Sequence, residues 1–400
     1  MKKILIAGGS YGDIPTIKTA KINGFCVITS GNNKKELGHL YSDEYCPADY
    51  SDKDELLKIS RSLGIDYIVP ACHDLSMVSC AYVAEQLSLP GYDSYETTLR
   101  LHHKNMFRKL ADEIGLKSPA SYPLSSLDEV ADLYGKISQK NIVKPIDSGG
   151  GRGITVIGTE EELLPAVRYA FENSKAGKVV VEEFVDGTLH SFSSFIRKQK
   201  VIFCYCDNEY SSVNKYGVAT SSAPCQHSDR LTDSLIAETE KTAKYLNLSD
   251  GLLHLQYIFN GDQFKIIEFT RRMPGDWYFY PVNLSTGINY PYWYLQGFIG
   301  NEPDHLAPVK QQGFYSRHCL MAQKNGIIEE THIGREIEKN IVDKYVWARV
   351  GDLINNYMYQ KLGLFFLQYE SFAEMEDKTA NINDLITIKI LHASNKLNQQ

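Results

Sequence analysis

Leu252-Leu253-His254-Leu255-Gln256-Tyr257-Ile258-Phe259, Asn260-Gly261-Asp262-Gln263 and Phe264-Lys265-Ile266-Ile267-Glu268-Phe269-Thr270 follow one another without interruption. Two alternating apolar segments around an Asn-Gly turn predict a β-hairpin. Pairing Phe259 with about residue 265 sets Gln256 opposite Glu268 and His254 opposite Thr270. Strand side chains have period two. One face therefore carries His254, Gln256, Glu268 and Thr270, all nitrogen or oxygen donors. The other carries Leu255, Tyr257, Ile267 and Phe269, which can pack on a core. A carboxylate beside amide and hydroxyl oxygens suits a Mg²⁺ ion that bridges nucleotide phosphates. An ordinary half-exposed hairpin is the simpler reading of the same residues.

Arg271-Arg272 and Met273-Pro274-Gly275-Asp276 come next. Two guanidinium groups at a strand end can hold a phosphate or a substrate carboxylate, or can simply be solvated. Upstream stands Val143-Lys144-Pro145-Ile146-Asp147-Ser148-Gly149-Gly150-Gly151-Arg152-Gly153-Ile154. Strand candidates flank it, Asn141 to Pro145 and Gly153 to Gly158. This is strand–loop–strand with the lysine ahead of the glycines, not the strand–loop–helix of a Walker loop. Consecutive glycines let backbone N–H groups close over phosphates. Lys144 can supply a point charge to the same phosphates. A flexible hairpin loop with an incidental lysine is the alternative.

The beginning of the chain alternates strand and helix. Lys3 to Ala7, Phe25 to Thr29 and Tyr67 to Ala71 are short apolar runs, and Asp54 to Leu63 has a helical pattern. Such alternation predicts a parallel sheet with crossover helices and ligands at the strands' carboxyl ends. Gly8-Gly9-Ser10-Tyr11-Gly12 lacks the G-x-G-x-x-G spacing, and Ser30-Gly31-Asn32 ends the second strand without an acidic residue. A tight turn beside a small ligand is favoured over a nicotinamide site. Residues 96 to 116 read as one helix, followed by a linker at Pro119 and Pro123. Further helices are expected over Glu160 to Asn173 and 231 to 247, with strands at Lys178 to Val185, Leu364 to Gln368 and Ile386 to Leu391.

Composition sets the bounds. The 400 residues carry 42 Lys+Arg and 49 Asp+Glu, a net charge of −7. An acidic chain without a long basic stretch argues against nucleic-acid binding. The 43 % apolar content excludes wholesale disorder. Eight cysteines show no C-x-x-C pair and read as reduced thiols. The apolar run at residues 4–7 stops too early for a signal peptide, and no stretch reaches the ~18 apolar residues of a membrane span. A cytoplasmic protein without a membrane partner is expected.

In this order the motifs resemble an ATP-grasp protein, of the carboxylate–amine ligase branch. Its relatives act in purine biosynthesis and as biotin carboxylase and carbamoyl-phosphate synthetase. The resemblance runs from residue 3 to about 300, more loosely beyond. It implies a mixed α/β and α+β architecture: a Rossmann-like N-terminal domain (1–95), a connecting helix and linker (96–120), a two-lobed ATP-grasp domain (121–305, lobes about 121–185 and 186–305) and a small C-terminal α+β domain (306–400). It also implies ATP with Mg²⁺ or Mn²⁺, small carboxylate and amine substrates, and a homodimer.

Residue by residue, the resemblance gives Lys104 and Lys144 to the phosphates, and Gly149, Gly150, Gly151, Arg152 and Gly153 to a mobile flap. Glu182, Glu183, Phe184 and Val185 resemble the adenine-reading hinge: Glu182 acts by its side chain, Glu183 and Val185 by backbone. His190 falls where relatives contact ribose. Gln256, Glu268 and Thr270 stand at the metal positions. Arg272 would steady the acyl phosphate, and Asp276 is a candidate base. Substrate would meet Ser10, His73, Asp74, Arg271, Arg272, Gly275, Asp276 and Trp277. Gln256 replaces the commoner acid and Thr270 the usual Asn, and His102-His103 precedes Lys104 where Asp is usual. The function implied is ATP-dependent joining of a carboxylate to an amine. A bicarbonate-using carboxylase and a non-catalytic ATP-binding protein are the alternatives, with a dehydrogenase behind them.

Overall fold

Four parallel strands open the chain: β1 (Lys3–Ala7), β2 (Cys26–Gly31), β3 (Glu44–Pro47) and β4 (Tyr67–Pro70), in the order β3-β2-β1-β4. The computed structural model describes residues 1–137, 140–148, 151–303 and 306–391. Helices α1 (Ile14–Ile22), α2 (Lys53–Leu63) and α3 (Asp74–Leu87) make the crossovers. α2 shows how its sequence specifies it. Asp52 accepts from the backbone of Asp54 and Glu55, and Gly64 ends the helix at φ +60°. Its Leu56 and Leu57 then pack with Leu5, Ile28, Ile68 and Val83. Each such leucine contributes about 2 kcal/mol.

The glycine turn after β1 is needed for contact within the protein. A Cβ on Gly9 would lie 1.9 Å from the His39 ring. The close approach that glycine permits here is made by an imidazole.

The stretch expected as one helix is two, α4 (Tyr95–His102) and α5 (Lys104–Ile114). His103 breaks it with extended dihedrals, φ −90° and ψ 119°. The break makes Lys104 the first residue of a new helix.

A four-stranded sheet of order β5-β8-β6-β7 follows: β5 (Ser121–Leu124), β6 (Asn141–Pro145), β7 (Thr155–Ile157) and β8 (Val179–Glu183). β6 and β7 pair antiparallel, Val143 against Thr155, so the glycine loop joins two strands as its sequence predicts. Helix α6 (Leu163–Glu172) covers the sheet with Leu163, Val167 and Ala170. Gly149 and Gly150 lie outside the described residues.

Four further neighbouring strands run β13-β12-β9-β10: β9 (Thr188–Arg197), β10 (Lys200–Ser211), β12 (Gly251–Phe259) and β13 (Phe264–Thr270), with β11 (Val218–Ala223) and α7 (Ser228–Leu246) between the last two pairs in sequence. Helices α8 (Phe279–Thr286) and α9 (Tyr290–Phe298) come next. The aromatic run there is largely core: Tyr278, Tyr290 and Tyr294 are each at most 2 % exposed.

The chain divides into two compact units, residues 1–206, 227–279 and 288–309 in the first, residues 207–226, 280–287 and 310–400 in the second. In the second, β11 is followed across the sheet by β14 (Phe314–Met321), β18 (Lys361–Tyr369) and β16 (Ile341–Val346). A small sheet of β17 (Leu353–Ile354), β15 (Gly326–Ile333) and β19 (Ile386–Leu391) shares its core of Ile328, Phe365, Leu367, Met375 and Ile388.

Candidate active site

The β12–β13 hairpin has the expected cross-strand pairs. His254 faces Thr270, and Gln256 faces Glu268. The turn end differs by one residue: Phe259 pairs with Phe264, and a bulge between Gln256 and Tyr257 restores the register. Ile267 is the extra residue on β13. A bulge of this kind re-aims neighbouring side chains. Thr270 and His254 are buried. Burial first, then the nearby Arg272 charge, pushes His254 down to about 3, so its ring is neutral.

Glu268, Gln256 and Thr270 supply one carboxylate and two neutral oxygens. Among the described residues no group of three His, Cys, Asp or Glu side chains could hold a metal by itself. This donor set fits Mg²⁺, which takes one or two carboxylates and completes its shell with phosphate and water. It does not fit a structural metal cage.

Beyond the strand, Arg271 and Arg272 part company. Arg271 turns into the protein, where its Nε lies 2.9 Å from Asp93 and its Nη atoms donate to the carbonyls of Leu252 and Ser249, each at 2.8 Å. That gives it a packing role. Arg272 donates to Asp74 twice, Nε to Oδ1 and Nη2 to Oδ2, both at 3.0 Å. His102 Nδ1 also binds Asp74 Oδ1 at 3.0 Å, and His102 Nε2 accepts from the Arg271 backbone N–H at 3.2 Å. With Nε2 accepting that bond, Nδ1 is the nitrogen that donates to Asp74. Desolvation would raise the Asp74 carboxyl, but Arg272 and His102 outweigh it and hold it well below the usual range.

The cationic side of the site begins at α5. Lys104 Nζ donates to the Ser148 carbonyl at 3.0 Å, at the root of the glycine loop. The root is anchored further by Asp147, which accepts from Ser174 Oγ and Ala176 N. Gly151 and Gly153 adopt φ +81° and +71°. A Cβ on Gly153 would meet Pro145 and Asn173 at 2.6 Å. Lys144 Nζ lies 2.7 Å from Glu182, whose other partner is Arg108, at 2.6 and 3.2 Å. Burial alone would raise Glu182, but the two cations win and hold it at about 2. Burial lowers Lys144 below the ordinary lysine value, with Glu182 opposing.

Arg108 was not assigned from sequence, although it lies one turn beyond Lys104 on the same helix face. The Glu182 carboxylate, expected to read adenine, is here bound by two cations. Glu183 pairs with Lys265 at 2.6 Å, its N–H donates to Ala120 O, and the Phe184 N–H donates to Lys140 O. Val185 follows directly. His190 is buried, bonded to Thr188 at 2.6 Å and stacked on Tyr257.

The remaining candidates line the ends of the parallel strands. Ser10 is tied into a capping box with Asp13. His73 caps α3 by accepting from Leu75 N. After Gly275, Asp276 and Trp277 both take positive φ, +59° and +53°. This is uncommon for non-glycine residues and marks strain. Two bonds to Tyr11 hold the strained pair: Tyr11 Oη donates to Asp276, and Trp277 Nε1 donates to Tyr11 O at 2.8 Å. His73, Asp74, His102, Lys104, Asp147, Ser148 and Glu268 line one crevice.

Residues 103–276 match the family described as the carbamoyl-phosphate synthase L chain, ATP binding domain. Over that segment, under half of the chain, this protein is similar to ATP-grasp proteins. The ATP-grasp match begins at His103, where the helix breaks, and ends at the strained Asp276. A formate-dependent phosphoribosylglycinamide formyltransferase of Prochlorococcus marinus is 25 % identical over 85 % of this chain and 87 % of its own length. The enzyme of that name from Methanocaldococcus jannaschii is 27 % identical over 46 % of this chain, and the match spans about half of its length, 48 %. The solved L-amino acid ligase from Bacillus licheniformis superposes with a TM-score of 0.81 at 20 % identity, over 98 % of this chain and 99 % of that one. It shows the same fold. The names of these proteins describe a formyltransferase and a ligase. Among the described residues no helix is long and apolar enough to cross a membrane.

Proposed function

We propose that the protein activates a small carboxylate as an acyl phosphate with ATP and joins it to an amine. The observation that carries this reading is the single crevice shared by Lys104, the root of the glycine loop, Glu268 and the Asp74 that clamps Arg272. The Lys104 ammonium, the Glu268 carboxylate and the Asp74 carboxylate that pairs with Arg272 line it together.

A substrate carboxylate oxygen attacks the γ-phosphorus, and the bond to the β,γ-bridging oxygen breaks. ADP leaves with that electron pair. The amine nitrogen then attacks the acyl carbon, the carbon–oxygen bond to phosphate breaks, and the nitrogen gives up a proton. An amide and inorganic phosphate result. Positioning and electrostatics supply most of the acceleration. Lys104 and Lys144 neutralise phosphate charge, and the loop through Gly151, Arg152 and Gly153 covers it. Arg272 uses three of its five N–H groups on Asp74 and the Met273 carbonyl. The other two can meet the acyl phosphate. The backbone of Glu183 to Val185 would contact adenine, His190 would serve the ribose, and Asp276 would take the amine's proton. Held by Gln256, Glu268 and Thr270, Mg²⁺ or Mn²⁺ would offset charge on the phosphates. The layout 1–95, 96–120, 121–305 and 306–400 belongs to this reading.

The test is phosphate release from MgATP against pooled carboxylates, with hydroxylamine as a generic amine. Carboxylate-dependent hydroxamate is the expected product. Phosphate release that depends on bicarbonate alone would favour the carboxylase. Silence with every pool, despite ATP binding, would favour a nucleotide-binding protein.

A further inference from the structure

Gly275 to Tyr278 form a tight turn. The Tyr278 N–H donates to the Gly275 carbonyl at 3.2 Å, and the two residues between them, Asp276 and Trp277, take φ +59° and +53°. Two positive φ values closed by such a bond mark a type I′ turn, whose second central place favours glycine. A tryptophan stands in that place, while Gly275 itself lies outside the left-handed region. Backbone strain of this kind persists where the surroundings over-determine it.

Here Tyr11 does so. Its hydroxyl donates to Asp276 Oδ1, and its carbonyl accepts from Trp277 Nε1 at 2.8 Å. One residue thus grips both central side chains. Asp276 is 9 % exposed, so the bond from the phenol sets the direction of a nearly enclosed carboxylate. The exit of the turn is pinned by buried Tyr278, whose hydroxyl lies 2.9 Å from Ser191 Oγ.

Tyr11 is held in its turn from the end of β4. Asp13 accepts from the Ser10 N–H and hydroxyl at 2.8 and 2.9 Å, and from the Cys72 N–H at 2.9 Å. Cys72 stands two residues before Asp74. The same strand end therefore orients Arg272 through Asp74, and Asp276 through Asp13 and Tyr11. Burial first, then Asp13, raises the Cys72 thiol well above its ordinary value; Arg272 opposes this and Asp276 adds to it, so both groups lie near one thiol.

We propose that Tyr11 is a positioning residue for the amide-forming step: its hydroxyl and its carbonyl hold the turn so that the Asp276 carboxylate is aimed at the entering amine. The proposal rests on the ligase reading. In that reading the amine nitrogen bonds to the acyl carbon, the carbon–oxygen bond to phosphate breaks, and the nitrogen's proton passes to the Asp276 carboxylate. Tyr11 keeps its own proton throughout. Acyl phosphate formation needs no such base, so the role of Tyr11 is confined to the second step.

Tyr11→Phe keeps the ring and the carbonyl and removes the hydroxyl alone. Single turnovers of the full chain are run with MgATP, the carboxylate found by the hydroxamate assay, and hydroxylamine. Quenched samples give ADP formation and hydroxamate formation separately. The variant is expected to form ADP within about twofold of the wild-type rate and hydroxamate about tenfold more slowly, as loss of a bond to a charged group requires. Asp276→Asn should slow hydroxamate formation about a hundredfold. The double variant should be no slower than Asp276→Asn, because Tyr11 acts only through that carboxylate. A merely structural tyrosine would slow both steps and add its loss to that of Asp276→Asn. Circular dichroism melts show whether Tyr11→Phe is folded. If it is not, Trp277→Phe, which removes the other bond to Tyr11, should show the same selective loss. Equal slowing of both steps, an unchanged hydroxamate rate, or additive losses would overturn the proposal. Wild type that yields no hydroxamate with any carboxylate overturns the ligase reading and this one with it. Wild-type hydroxamate with an unaffected Tyr11→Phe overturns this one alone.

Discussion

Arg108 and Glu182 form an enclosed ion pair between α5 and β8, with Nε donating to Oε1 at 2.6 Å and Nη2 to Oε2 at 3.2 Å. Their side chains are 4 % and 1 % exposed. Lys144 shares the same carboxylate. Removing one partner of such a pair leaves a buried charge short of compensation. Arg108→Met is therefore expected to cost about 3 kcal/mol, read from the urea midpoint and slope. A cost near zero would mean that Lys144 alone neutralises Glu182.

The same carboxylate makes stability depend on acid. Burial opposes ionisation, yet Arg108 and Lys144 hold Glu182 at about 2, against 4.5 ordinarily. A folded pKa below the unfolded one stabilises the protein above the unfolded value. That contribution disappears as pH falls from about 4.5 through about 2, and it amounts to at most about 3 kcal/mol. Glu182→Gln should be less stable than wild type at neutral pH and lose less between pH 4.5 and 2. Urea unfolding at several pH values measures this. Parallel curves would show that other carboxylates carry the acid sensitivity.

The hairpin was legible because period-two alternation and an Asn-Gly turn are local signals. Even an error of one residue at the turn left the Gln256–Glu268 pair in place, because the bulge absorbed it. The parallel N-terminal sheet and the strand–loop–strand around Lys144 were legible for the same reason. Arg108, His102 and Tyr11 were not. Their roles come from partners 74, 169 and 265 residues away, and nothing local in the sequence announces such a partner. The division of labour between Arg271 and Arg272 was hidden too. Consecutive residues after a strand point apart, but which one turns inward depends on Asp93 and Asp74. The break at His103 escaped because residues 96–116 contain no proline or mid-helix glycine.

Asp74→Asn keeps the shape of the clamp and removes its charge. Arg272 would lose its paired contact, and His102 Nδ1 would lose an ionic acceptor. In the proposed reaction Arg272 acts on the acyl phosphate and not on the nucleotide. We expect kcat to fall about a hundredfold while the KM for MgATP changes by no more than about threefold. His102→Gln should show the same split at smaller amplitude. Steady-state kinetics with the carboxylate found by the hydroxamate assay decides. A KM for MgATP that rises in step with the loss of kcat would assign Asp74 to the nucleotide pocket.

Gln256→Glu places a second carboxylate opposite Glu268. Their Cβ atoms, as cross-strand partners, are about 5 Å apart. Without a cation the two charges repel, so the variant should melt below the wild type in the presence of a chelator. Mg²⁺ accepts one or two carboxylates beside phosphate oxygens. With MgADP present the order should therefore reverse, and the Mg²⁺ concentration for half-maximal protection should fall about tenfold, a little over 1 kcal/mol. Thermal melts across a Mg²⁺ series at fixed ADP give both quantities without turnover. If the variant melts like the wild type in chelator and gains no more from Mg²⁺, then Gln256 does not face the ion. The metal face would then reduce to Glu268 and Thr270.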